Sequence, residues 1–258
     1  MPRFGFALIP LLFVLMSCTT SDLGLEPEAS PSRYGDSDPQ YFGSQHPATH
    51  EIHGIDVSKW QGDIDWRRLE RADIAFAYIK STEGGDHRDE RFEEYWYGAK
   101  RAGVPRGAYH FFYFCRTAKE QAEWFIANTP NDRSALPPVL DIEWNHQSKT
   151  CKKRPDPEIV RGEMRDFLKR VEAHYGKRPM IYTTVDFHSQ NLEGYFTEYQ
   201  FWVRSVADHP DNVYDRRAWH FWQYTGTGRV PGITGDTDIN VFVGNKEQWD
   251  IWLASATQ

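Results

Sequence analysis

The chain has 258 residues, enough for one large domain or two small ones. Its formal net charge is −7, and its basic residues are scattered rather than gathered into a stripe, which argues against nucleic-acid binding. Aromatic residues make up 15% of the chain, a high load for an ordinary soluble domain, so the rings become candidates for ligand contacts as well as for the core.

The first predicted element is a targeting segment. Arg3 is followed by an apolar run from Phe4 to Met16, which is too short to span a membrane and has the length of a signal-peptide core. The run leads into the sequence LMSC at residues 15–18, which resembles the lipobox of bacterial lipoproteins. We therefore expect an exported cell-envelope protein whose Cys18 carries lipid in the outer membrane, facing the periplasm. The alternative is a plain secretory signal with an incidental cysteine.

Residues 1–18 are thus interpreted as the signal peptide, and residues 19–50 as a flexible linker. The linker is rich in Ser, Pro, Asp, Glu and Gly and shows no apolar periodicity. From Ile52 onward, short apolar runs alternate with helical stretches. This change places a single folded domain over residues 51–258.

Eight apolar runs of strand length follow one another through this domain. They are HGIDVS from His53, FAYIKST from Phe76, RGAYHFF from Arg106, PPVLDIE from Pro137, PMIYTT from Pro179, FWVRS from Phe201, HFWQYT from His220 and DINVF from Asp238. Helical patterns separate the first five: Asp89 is a candidate cap, Thr117 and Glu120 form a capping box, and a long helix runs from about Pro157 to Gly176. Strands that alternate with helices favour a parallel sheet, so we predict a TIM-type barrel whose final third has lost its helices.

Acidic residues gather where the predicted strands end. Asp56 ends the first run, Glu83 follows the second, and Asp238 opens the last. Asp141 and Glu143 are two apart on the fourth strand, so their side chains point the same way, roughly 7 Å apart along the strand. A lone D-x-E pattern is usually a surface pair, but barrel enzymes place their chemistry at these strand ends. Two close carboxyls raise one pKa and leave the other ionised, which suits acid catalysis of glycosidic cleavage.

Several residues on or near strand ends are candidates for contact with sugars. Flat rings pack against the C–H faces of sugars, and their polar tips reach hydroxyl groups. Each ring taken singly is more often a core residue, and we expect one to three of them in the cleft. The candidate substrate-binding residues are Tyr109, Tyr182, Trp202 and Trp222, together with the amide of Gln223.

Other chemistries have little support in the sequence. It contains no HExxH, paired CxxC, G-x-S-x-G, or GxGxxG after a strand, and no cluster with metal-ligand spacing. We predict neither a metal nor a cofactor. With Cys18 set aside, Cys115 and Cys151 remain as an even pair in an exported chain and are candidates for one disulfide.

Blocks in this order resemble glycoside hydrolase family 25, the Chalaropsis-type lysozymes. They are DVSKWQGDIDW from Asp56, IKSTEGGD from Ile79, RGAYHFF, PPVLDIE, RPMIYTT, FWQYT and GDTDINVF, spanning about residues 52–252. The resemblance implies an α/β fold, an irregular TIM-like barrel of about five β/α units closed by three further β-strands. It also implies a muramidase that hydrolyses the β-1,4 bond between N-acetylmuramic acid and N-acetylglucosamine in peptidoglycan.

By position, the resemblance makes Glu143 the acid that protonates the leaving oxygen and Asp141 the residue that orients the substrate 2-acetamido group. Asp56 and Asp238 carry over as cleft acids that hold the acid and the substrate, and Glu83 is a further catalytic candidate. The expected partner is the glycan strand of peptidoglycan, acted on by a monomer that touches the membrane only through its N-terminal anchor. Two alternatives are a catalytically silent peptidoglycan-binding barrel and a hydrolase of another N-acetylhexosamine polymer, such as chitin.

Overall fold

The computed structural model describes residues 1–2 and 33–258. The lipidation candidate Cys18 and nearly all of the predicted signal peptide lie outside the described residues. Within the described part of the chain, no helix combines the length and the apolar character needed to cross a membrane.

Of the ten strands in the described residues, eight close into a barrel at the centre of the domain. The strands are β1 (Gly35–Asp36), β2 (His53–Val57), β3 (Ile74–Glu83), β4 (His87–Arg88), β5 (Arg106–Phe111), β6 (Val139–Asp141), β7 (Met180–Thr184), β8 (Phe201–Arg204), β9 (Phe221–Arg229) and β10 (Thr237–Phe242). Strands β2, β3, β5, β6, β7, β8 and β9 run parallel, and β10 closes the ring antiparallel to both β9 and β2. The predicted α/β barrel and its eight strands are confirmed.

The helices of the domain are α1 (Trp66–Arg71), α2 (Phe92–Ala102), α3 (Ala118–Asn128), α4 (Pro157–Tyr175), α5 (Val185–Asn191), α6 (Pro210–Val213) and α7 (Lys246–Ala256). A helix follows each of the first five barrel strands, only the four-residue α6 lies between β8 and β9, and α7 follows the last strand. The capping box of Thr117 opens α3, and α4 ends at Gly176 in the left-handed conformation, both as predicted. The predicted cap Asp89 instead accepts hydrogen bonds from the backbone N–H groups of Lys59 and Arg91, so α2 begins only at Phe92.

Aromatic rings fill the lower half of the barrel. Phe76, Tyr78, Trp202 and Phe221 pack against one another in the interior with ring centroids 5.0–6.3 Å apart. Gly54 makes room for this layer, since a Cβ there would lie 2.5 Å from the Phe76 ring. Two tryptophans of α7 cover the layer from below. The barrel therefore has a solid apolar floor, and its polar side chains are confined to the opposite end.

Residues 33–50 differ from the predicted flexible linker, and we call them the N-terminal strap. Strand β1 pairs with the end of β9. Tyr34 is buried edge-on against the His53 ring, and its hydroxyl donates to the carbonyl of Ala72 at 3.0 Å. Phe42 packs on the ring of Trp222 at 5.2 Å. The polar composition of the segment concealed these few apolar anchors, which are enough to order it against the barrel.

We expect Tyr34→Ala to lower the free energy of unfolding by about 3 kcal/mol, because it removes a buried ring from the strap. Tyr34→Phe, which removes only the hydroxyl, should cost about 1 kcal/mol. Denaturant unfolding of the oxidised chain measures both. An unchanged midpoint for Tyr34→Ala would mean that the strap does not belong to the cooperative domain.

Candidate active site

The mouth of the barrel, at the carboxyl ends of the parallel strands, holds a cleft of about 290 Å³. Its walls carry acids, two cations and several rings. The lining residues are Asp56, Ser58, Trp60, Lys80, Tyr109, Phe111, Asp141, Glu143, Tyr182, Trp202, Arg204, Gln223 and Asp238. We refer to Asp56, Asp141, Glu143 and Asp238 as the four-acid cluster.

Strand alternation places two members of this cluster side by side. Between Asp141 and Glu143, Ile142 is fully buried in the layer between barrel and helices. Its backbone N–H donates to the carbonyl of Tyr182 at 3.0 Å, so pairing continues past the end of β6. Both carboxyls therefore face the cleft, as the spacing predicts. Among the described residues, Oδ1 of Asp141 is buried and has no hydrogen-bond partner.

The other two members face each other across β2 and β10. Asp56 and Asp238 are directly opposite in the antiparallel register. Oδ2 of Asp56 accepts hydrogen bonds from the side-chain amides of Gln223 at 2.8 Å and Asn240 at 2.9 Å. Two donors on one oxygen fix the position of this buried carboxyl and favour its charged form.

The two amides are themselves held in one orientation. The indole of Trp202 donates to Oδ1 of Asn240 at 2.7 Å, and an indole N–H can only donate. The amide nitrogen of Asn240 must therefore face Asp56. The hydroxyl of Tyr182 bonds Oε1 of Gln223 at 2.8 Å and orients the second amide in the same sense. We call these four side chains the amide brace.

Burial is the first cause of the protonation behaviour of the cluster. It raises the pKa of Glu143 to about 7 and that of Asp56 to about 6, although Arg204 opposes the first shift and the brace amides oppose the second. Burial also holds the pKa values of Asp141 and Asp238 well above the usual range, with Glu143 and Asp56 respectively as the neighbouring charges that add to the effect. The sequence predicts like-charge repulsion as the cause, whereas desolvation contributes more. The cluster therefore retains protons near neutral pH.

A β-bulge explains the place of Glu83. The pairing of β3 with β5 shifts by one residue between Lys80 and Thr82, so Lys80 and Glu83 face the same way although they are three apart. Their side chains form an ion pair at 2.5 Å. Burial alone would raise the pKa of Glu83. The charge of Lys80 and its hydrogen bond outweigh this effect, so the pKa lies below its usual value.

Glu83 consequently differs from the other acids in position. It lines a neighbouring groove, beside Tyr113 and Arg116, and not the cleft of the four-acid cluster. Its position favours holding Lys80 at the cleft wall over contact with the reacting bond.

The predicted substrate-binding residues divide into three groups. Tyr109 and Tyr182 line the cleft. Trp202 and Gln223 also reach it, but both are almost wholly buried as parts of the amide brace. Trp222 is wrongly placed by the sequence: its ring is fully buried on the outer side of β9, where it contacts Phe42 and its indole donates to the carbonyl of Ser205. Alternation along β9 turns Gln223 inward and therefore Trp222 outward.

Four further residues at the cleft were not predicted from the sequence. Asn240 completes the brace, and Lys80 and Arg204 supply the cations. Trp60 lies on the cleft rim with 81% of its surface exposed. A signal existed for two of them, since Arg204 and Asn240 each stand two residues from an inward-facing side chain on the same strand.

The loop between β6 and α4 forms one side of the mouth. A disulfide joins Cys151 of this loop to Cys115, which follows β5, with the Cα atoms 5.8 Å apart. His146 lies between the carboxylate of Asp186, at 3.3 Å, and the guanidinium of Arg154, at 2.8 Å. These contacts fix the loop beside Glu143.

Histidines and acids show no metal-binding arrangement in the described ranges. His53 and His110, which lie within strands, have hydrogen-bond partners in the core, and burial lowers their pKa values to about 4 and about 3. Neutral, internally bonded imidazoles of this kind stabilise the fold.

Comparison with known proteins converges on one family. The family model described as "Glycosyl hydrolases family 25" matches residues 55–233. The protein YegX of Escherichia coli K12 is 39% identical over 221 residues, which cover 83% of this chain and 78% of YegX. Lysozyme M1 of Streptomyces globisporus is 37% identical over 208 residues, covering 76% of this chain and 69% of that protein. A solved family 25 glycosyl hydrolase from Bacillus anthracis superposes with a TM-score of 0.76 at 37% identity, covering 84% of this chain and 98% of that one.

We expect Glu143→Gln to stabilise the fold at alkaline pH. A folded pKa of about 7, raised from 4.5, favours the native state below the unfolded pKa, and this contribution is lost as the pH rises through the folded value. The variant should therefore gain about 3 kcal/mol of unfolding free energy at pH 8 and little at pH 4. Denaturant titrations at the two pH values measure the gain, with the exposed Glu70→Gln as control. A gain independent of pH would contradict the raised pKa.

Proposed function

The chain belongs to glycosyl hydrolase family 25, and on this premise we propose that it is a muramidase of peptidoglycan. The bond cleaved is the β-1,4 linkage between N-acetylmuramic acid and N-acetylglucosamine. A relative of known name, Lysozyme M1, supports this substrate class. The observation that carries the proposal is Glu143, a half-buried carboxyl that lies beside Asp141 in an open cleft and whose pKa burial raises to about 7.

Glu143 is the general acid. Because its pKa lies near 7, it is protonated at neutral and acidic pH and can donate to the glycosidic oxygen as the bond to C1 breaks. The leaving sugar departs as an alcohol, and Glu143 is left as a carboxylate. It then takes a proton from the incoming water and returns to its starting state.

Asp141 is the partner of the substrate acetamido group. Its carboxyl group lines the cleft beside Glu143 and can accept a hydrogen bond from the N–H of that group. The acetamido oxygen, oriented in this way, attacks C1 while the C1–O4 bond breaks, and an oxazolinium ring closes. Water then opens the ring at C1 and restores the acetamido group. No covalent bond to the protein is required.

Asp56 and Asp238 hold the cleft in its working shape. The amide brace fixes Asp56, and Asp238 stands directly opposite it on β10. Ionised in part, this pair stabilises the positive charge that develops at C1. The exposed ring of Trp60 at the rim provides a face on which a further sugar unit stacks. Every residue in this scheme comes from one chain, so the proposed reaction needs no second copy of the protein.

Incubation with purified peptidoglycan and with chitin oligomers tests the reaction. The intact enzyme should release new reducing ends from peptidoglycan, with muramic acid as the new terminus after borohydride reduction and mass analysis. We expect Glu143→Gln and Asp141→Asn each to lower kcat by about a thousandfold, while Glu70→Gln leaves it unchanged. The wild-type rate should fall as the pH rises through about 7, because ionised Glu143 has no proton to give.

The same experiment gives a different result for each alternative function. Full activity in Glu143→Gln would remove this residue from the acid role. Binding to peptidoglycan without cleavage would identify a silent binding barrel, and comparable cleavage of chitin would identify a hydrolase of other N-acetylhexosamine polymers.

We also propose that the enzyme works outside the cytoplasm and is held at the outer membrane by lipid on Cys18. The support is the signal-peptide pattern with LMSC at residues 15–18. In phase separation with a non-ionic detergent, the protein made in its native host should enter the detergent phase, and Cys18→Ala should remain aqueous. If both remain aqueous, the anchor does not exist and a plain secretory signal accounts for the segment.

A further inference from the structure

Arg204 is a cation of the cleft that has no role in the proposed reaction. It is the last residue of β8, two positions after Trp202, and it pairs with Gln223 of β9. The hydroxyl of Tyr214 donates to its backbone carbonyl at 2.6 Å. The strand end is therefore fixed, and the guanidinium projects into the cleft, where it is part of the lining.

The guanidinium has no hydrogen bond or ion pair with any residue that the structure describes. Its charge nevertheless lowers the pKa values of Glu143, Asp56 and Asp238, so it lies within electrostatic range of the cluster without contacting it. Lys80, the other cation of the cleft, is already paired with Glu83. Arg204 thus presents five N–H donors to the place where substrate binds.

A partly buried guanidinium is costly unless a matching group pairs with it. Hydroxyls and acetamido groups of a neutral sugar need only neutral partners. The planar fork of arginine matches a carboxyl group, to which it can donate two parallel hydrogen bonds. The unpaired fork therefore points to a ligand group with two oxygens or a charge.

Peptidoglycan has such a group on one of its two sugars. Muramic acid differs from glucosamine by a lactyl ether at O3, whose carboxyl is free in strands without peptide and an amide in strands with peptide. Resting on the proposed muramidase function, we propose that Arg204 binds this lactyl carboxyl group and selects a muramyl unit at its subsite. The selection follows from charge-assisted hydrogen bonds that glucosamine cannot form.

The test compares two glycan substrates that differ only at this group. The first is glycan strands stripped of peptide, with free lactyl carboxylates. The second is the same strands after carbodiimide coupling to methylamine, which converts each carboxylate to a neutral amide. Variants Arg204→Gln and Arg204→Lys are measured with Arg101→Gln as a charge-matched control, since Arg101 is exposed at the end of α2. Dissociation constants are measured in the Glu143→Gln background, and kcat and KM in the active one.

We expect Arg204→Gln to raise Kd and KM for the carboxylate strands about tenfold or more, with kcat changed less than about threefold. The same substitution, Arg204→Gln, should weaken binding of the amide strands about threefold at most. For the carboxylate strands, the Kd of Arg204→Lys should lie between those of the wild type and Arg204→Gln. Lysine keeps the positive charge but cannot donate two parallel hydrogen bonds. Arg101→Gln should bind both strands as the wild type does.

An equal loss on both substrates would overturn the proposal, because recognition would then not involve the carboxylate. So would an unchanged Kd with a lowered kcat or a shifted pH profile, which would make Arg204 only a neighbour that tunes Glu143. The proposed function fails separately. Wild-type protein that binds the strands but releases no reducing ends would refute the muramidase, while the Kd comparison would still decide the role of Arg204.

Discussion

Desolvation of four carboxyl groups is the constraint on which the rest of the site depends. The aromatic floor beneath them excludes water from one side, and burial is the leading cause of the raised pKa of every member of the four-acid cluster. If all four carboxyl groups ionised, their mutual repulsion and the loss of hydration would strongly destabilise the fold. The amide brace, the cations and shared protons keep the charge tolerable, and the same arrangement leaves Glu143 with a proton to donate at neutral pH.

The amide brace shows why this chemistry needs strands from around the barrel. Tyr182, Gln223, Asn240 and Trp202 come from β7, β9, β10 and β8, and they converge on Asp56 of β2. A displacement of any of these strands would therefore alter the position of the Asp56 carboxyl group, because one or two hydrogen bonds connect the strand to it. Closure by the antiparallel β10 is essential here, since it places Asn240 and Asp238 beside β2.

The strands and their inward positions could be predicted because alternation is a local property of the chain. The pair Asp141 and Glu143, separated by a core isoleucine, illustrates this. The sequence did not show which of two neighbouring residues on a strand faces the barrel interior, and Trp222 was therefore misplaced. It also did not show the β-bulge after Lys80, which changes which side chains face inward. Sequence reasoning also missed the strap, because a few anchors in a polar segment give no periodic signal. Alternation could have placed Arg204 in the cleft, but the lack of a partner for its guanidinium among the described residues is seen only in the structure.

The solid floor also bears on the order of events in the proposed two-step reaction. Rings pack across the barrel and tryptophans of α7 close its base, so among the described residues the open approach to the cluster is the mouth. Sugar, water and product would share it. The face of C1 exposed by bond cleavage is first occupied by the departing saccharide. Water reaches that carbon only after the saccharide has moved away. In the proposed reaction, departure of the leaving saccharide would therefore time the attack of water on C1.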